Sequence, residues 1–72
     1  MNARVWLTAF AQRLDTAPPT TEEFKLLLEL AGEAAHASER VAAPVACWLA
    51  ARAGVAPDEA IRLARLVVDV DE

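Results

Sequence analysis

Cysteine occurs once in the chain, histidine once, lysine once and glycine twice. A lone cysteine, Cys47, forms no internal disulfide, and its place in the apolar run VAAPVACWLAA suits a reducing compartment. The single Lys25 and six scattered arginines leave a net charge of −4. That excludes general binding to nucleic acid, which needs many clustered cations to neutralise phosphates. Gly32 and Gly54 are too few for a glycine-rich phosphate loop, and no serine nucleophile elbow or CxxC pair is present. No apolar run reaches the ~20 residues of a membrane span, because Pro44 interrupts the longest one. The N-terminal segment MNARVWLTAFAQRLD is amphipathic but lacks the continuous apolar stretch of an export signal. The expectation is a cytoplasmic protein without membrane insertion.

What is present is apolar and helical. With 56% hydrophobic residues the chain is too apolar to be disordered, and its 72 residues suffice for one small core. Cores of this size are marginal without a metal, disulfides or a partner, so self-association is an early expectation. Strand-like alternation and fixed-period repeats are absent, and four helical segments stand out. The predicted fold is all-α, a compact bundle of four short helices in a single domain over residues 1 to 72.

Helix boundaries follow from capping and proline signals. Asn2 can cap a first helix over about 3–14, with Trp6, Leu7, Phe10, Ala11 and Leu14 on one arc. DTAPPT stops it through Pro18 and Pro19. Thr20 and Glu23 have capping-box spacing and open a second helix over about 21–41. Its apolar stripe (Phe24, Leu27, Leu28, Ala31, Ala34, Ala35) is widened by Leu26 and Leu30, a breadth that suits a central helix with two neighbours, or one neighbour and a second protomer. Pro44 opens a third helix, about 44–53, apolar nearly all round and expected to be the most buried. Pro57 opens a fourth, about 57–69, with Asp58–Arg62 and Arg65–Asp69 as i,i+4 ion pairs. Trp6, Phe10, Phe24, Leu27, Leu28, Trp48, Leu49 and Ile61 are expected to supply most of the buried area. Truncating a core Trp48 would cost about 3–5 kcal/mol.

Candidate chemistry is sparse. Glu33 and His36 have the Glu-x-x-His spacing of carboxylate metal bundles, but such centres need two pairs and further glutamates, so a solvated polar face and no metal are expected. Cys47 in an apolar helix reads as an inert buried thiol. No catalytic residue and no cofactor are assigned. The one constellation that suggests a ligand is His36 and Arg40, four residues apart, just before the predicted start of the third helix. The free amides of Val45 and Ala46 would join them in an anion site. The plainer alternative pairs Arg40 with Glu29, Glu33 or Glu39 and stiffens the corner. Trp6 is expected in the core; if exposed, it would mark a contact surface, as would a free Leu26 and Leu30 edge.

The stretch LLLELAGEAAHASERVAAPVACWLAARAG, roughly Leu26 to Gly54, resembles a family of small helical domains from actinobacteria that occur alone or attached to proteins like molybdenum cofactor guanylyltransferase. The shared pattern is a helix ending in histidine, an arginine four residues on, then Ala-Ala-Pro: here His36, Arg40, Ala42, Ala43 and Pro44. The family often has proline after the arginine, where this chain has Val41. The resemblance implies a link to molybdopterin guanine dinucleotide maturation and assigns no catalytic residue. The leading expectation is an accessory protein-interaction domain. The alternatives are an anionic nucleotide or pterin module at the His36/Arg40 corner, or a homodimeric structural bundle. An enzyme acting alone is the least favoured class.

Overall fold

In the computed structural model, which describes residues 1–68, the chain forms α1 (Ala3–Arg13), α2 (Thr21–Ala37), α3 (Ala42–Ala53) and α4 (Pro57–Ala64). The all-α expectation holds, with no strand among the described residues. Local signals account for most of the boundaries. The Asn2 side chain accepts the Val5 N–H at 2.9 Å and starts α1. Thr20 and Glu23 form the reciprocal capping box of α2: Thr20 Oγ1 accepts from the Glu23 N–H at 3.0 Å, and Glu23 Oε1 accepts from the Thr20 N–H at 2.8 Å. Pro57 sits in the first turn of α4, followed by Asp58 and Glu59 where the dipole favours carboxylates.

The ends of α1 and α3 use the same closing motif with different residues. Asp15 takes a left-handed φ of 58°, its N–H donating to the Gln12 carbonyl at 3.1 Å and the Thr16 N–H to that of Ala11 at 2.9 Å. Gly54, at φ 72°, does the same for α3, with Val55 donating to Ala50 at 3.0 Å. Glycine meets no steric penalty in this conformation, whereas Asp15 bears some of it.

Three boundaries differ from the sequence reading. α2 ends at Ala37 rather than continuing to Val41, because Ser38 (φ −137°, ψ −102°) leaves the helical region. α3 then begins at Ala42, two residues before Pro44, nucleated by a turn in which the Glu39 and Arg40 carbonyls accept from the Ala42 and Ala43 amides. Pro44 therefore occupies the third helical position, where the N–H would still lack an intrahelical acceptor. α4 stops at Ala64 and tightens into a turn, Leu66 donating to Leu63 at 3.0 Å. The expected helix over 57–69 is therefore too long, since residues 65–68 leave it, and Asp69 of the expected Arg65–Asp69 pair lies outside the described residues. Asp58 does not pair with Arg62. Arg62 Nε instead donates to Glu59 at 3.0 and 3.1 Å, while Arg65 crosses to Glu33 of α2 at 3.2 Å.

α2 is the central helix, packed along both α3 and α4. The buried cluster is Leu30, Ala60 and Ile61, bordered by Leu26, Cys47, Ala50, Val55 and Ala64. The Leu26/Leu30 edge read as a free contact surface is thus interior: Leu30 is 2% exposed, because α4 lies on that side of α2. Conversely, α3 is not the most buried element and has no fully buried residue. It approaches α2 on small side chains, with Ala43, Ala46, Cys47 and Ala50 half-buried, and so turns Val45, Trp48 and Leu49 outward. Trp6, Phe10 and Leu28, also expected in the core, are exposed. α1 joins the body at one end, through an Arg4–Thr21 hydrogen bond of 3.2 Å and the Arg4 guanidinium over the Phe24 ring at 4.8 Å. The result measures 41 × 23 × 19 Å, with a radius of gyration of 13.2 Å against about 11 Å for a typical chain of this length.

Candidate functional site

The helix boundaries decide the fate of the His36/Arg40 corner. His36 lies in the last turn of α2, where a cation suits the dipole, but Arg40 falls in the turn beyond Ser38. The two no longer share a helical face. Val45 and Ala46 are the fourth and fifth residues of α3, past the first-turn amides that face outward from a helix start. Those first-turn amides are otherwise engaged: Ala42 and Ala43 donate to Glu39 and Arg40, and Pro44 has none. The corner thus offers no exposed amide pair for an anion. The plainer reading, Arg40 paired with Glu29, Glu33 or Glu39, is not met either: among the described residues the ion pairs are Arg62–Glu59 and Arg65–Glu33.

The remaining reactive residues are quiet. Cys47 is half-buried, its Sγ 3.8 Å from the Leu27 carbonyl, and burial pushes its thiol above the ordinary value of 9.0. That keeps it protonated near neutral pH and a poor nucleophile. Among the described residues no cluster of three or more His, Cys, Asp or Glu could hold a metal ion. The Arg62 guanidinium holds the Glu59 carboxyl below its usual range, a pairing at the surface of α4.

The surface is apolar where a small monomer would ordinarily have covered itself. A monomer of 7.8 kDa exposes about 4,400 Å²; this chain exposes 5958 Å², about 1,600 Å² more. Two apolar regions stand out on the surface of the described residues. The first is the outward face of α3, where Val45, Trp48 and Leu49 are each more than half exposed and the Arg52 guanidinium lies 5.0 Å from the centre of the Trp48 ring. The second is a groove of about 690 Å³ running from the Pro18–Pro19 linker between α2 and α3 to Val55. Phe24, Leu27, Leu28 and Ala31 form its α2 wall, and Ala50 and Ala51 its α3 wall. Beside it, the Trp6 and Phe10 rings of α1 stack tilted at 31° with centroids 5.0 Å apart, both substantially exposed.

Of the surface residues named from sequence, Trp6 is exposed, Leu26 is half-buried and Leu30 is buried. The groove and the α3 face were missed. Their signal was present in the near-continuous apolarity of helix 3 and the breadth of helix 2, which exceed what two intrachain neighbours can cover.

These features define a class: a small all-α domain that wears its large apolar side chains on the outside. The chain belongs to the family described as a domain of unknown function, DUF6457, whose pattern matches residues 1–71. No curated protein and no solved structure matches it. No helix among the described residues is long and apolar enough to cross a membrane.

Proposed function

We propose that the chain is a non-catalytic interaction domain that docks a protein partner on the outward face of α3, with Trp48 as its anchor. The exposure of Trp48, at 57%, carries this reading. Tryptophan and arginine contribute disproportionately to binding energy at protein interfaces, and here Arg52 stacks on the Trp48 ring, leaving its donors for a partner carboxylate. The partner surface this face suits is an apolar pocket rimmed by acid.

The resemblance over Leu26–Gly54 supports a more specific partner, a cytoplasmic protein like molybdenum cofactor guanylyltransferase, with the domain assisting molybdopterin guanine dinucleotide maturation. The test is calorimetric titration of the chain into such a protein. Saturable binding weakened about 30-fold or more by Trp48→Ala, with unchanged helical circular dichroism, is the expected result. Equal affinity for the Trp48→Ala chain would overturn the α3 face as the docking site, and absence of binding by the parent chain would overturn this partner.

A further inference from the structure

We infer that the groove between α2 and α3 is filled by α1 of a second copy of this chain, in a reciprocal dimer whose twofold axis brings the two α1 helices together. The groove and the exposed face of α1 have matching chemistry. At 100° per residue, Trp6, Phe10 and Leu14 occupy one side of α1, while Leu7 and Ala11 occupy the side nearer the linker and Phe24. Leu7 lines the groove, and Trp6, Phe10 and Leu14 remain 45–58% exposed. Within one chain the linker prevents a better fit, because the turn at Asp15 and Thr16 and the rigid Pro18–Pro19 pair hold α1 at the end of the groove. A copy approaching about a twofold axis has no such tether, and the symmetry fills both grooves at once.

Charge selects the same pairing. α1 carries no acid, and its Arg13 lies next to Trp6 on the helical wheel, whereas the one charged residue that lines the groove is Glu23 of α2. Bringing α1 of one copy into the groove of the other thus joins an arm without acids to a groove whose one charged lining residue is a carboxylate, although each chain as a whole is negative. Area selects it too. Covering half of the surplus of about 1,600 Å² on each protomer, which leaves the α3 face free, gives a total near the ~1,600 Å² of a standard interface. The α3 face that carries Trp48 lies outside this contact, so dimerisation and partner docking are separable.

The test uses the full chain. Sedimentation equilibrium at micromolar to millimolar concentration is expected to show a monomer–dimer equilibrium, with the dissociation constant raised about 30-fold or more by Phe10→Arg and by Leu28→Glu. Both side chains are exposed in the single chain, so the variants keep its helical circular dichroism. Isotope-filtered NOE spectra of a mixed labelled and unlabelled sample are expected to connect the Trp6 and Phe10 rings of one copy to the Leu27 and Leu28 methyls of the other. A monomer throughout the concentration range would overturn the inference. So would a dimer whose intermolecular NOEs fall on Trp48 and Leu49, or one indifferent to both substitutions.

Discussion

Helices α1 and α4 both show a readable apolar stripe, yet the molecule treats them in opposite ways. α4 lays Ala60 and Ile61 against Leu30 of α2 and buries all three. α1 buries only Ala11 and leaves two aromatic rings half in water. The difference lies in the connections rather than the stripes. Gly54 lets α3 reverse in a left-handed residue and return α4 directly onto α2, whereas two prolines hold α1 at the far end of the groove. Periodicity says that a face is to be covered; the linker decides whether the cover comes from the same chain.

The contrast can be broken first at the covered seam. Leu30→Ala should destabilise the domain by about 2–5 kcal/mol, the range for a buried leucine, which for so small a core unfolds much of the population; urea denaturation followed at the helical band measures it. The connection comes next. Gly54→Ala places a Cβ at φ 72° and should cost about 1–2 kcal/mol, although nothing lies within 4 Å of the added carbon. A near-zero cost would show that the tight reversal is not what places α4. The smallest effect belongs to the uncovered side, where Trp48→Ala should change the stability of the free monomer by no more than about 0.5 kcal/mol. A loss of several kcal/mol would mean that the face of α3 is covered within the chain, and the contrast would collapse.

Legibility in the sequence followed the range of the interaction. Asn2, the Thr20/Glu23 box and Pro57 were readable because each acts within four residues and its geometry hardly depends on the rest of the chain. The central position of α2 was readable from the breadth of its apolar arc. Pro44 misled by two residues, since proline is tolerated throughout the first helical turn and does not by itself mark the first position. That shift dismantled the His36/Arg40 corner, whose logic needed α2 to run on and α3 to start late. Burial was the least legible property. Leu30 and Trp48 are both large and apolar on helices, and only the tertiary placement of α4, and the alanines on the inner side of α3, send one inward and the other out.

The hydrogen bonds that end α1 and the Pro18–Pro19 pair have a thermodynamic meaning for association. A flexible arm carrying Trp6 and Phe10 would lose backbone and side-chain freedom each time it met a partner, and that loss would be subtracted from its affinity. Here Asp15 and Thr16 fix the exit of the helix, Arg4 ties its start to Thr21 and Phe24, and the prolines restrict the unfolded chain as well as the folded one. The loss is incurred during folding, so the arm meets its partner already shaped, and a modest apolar contact can be long-lived.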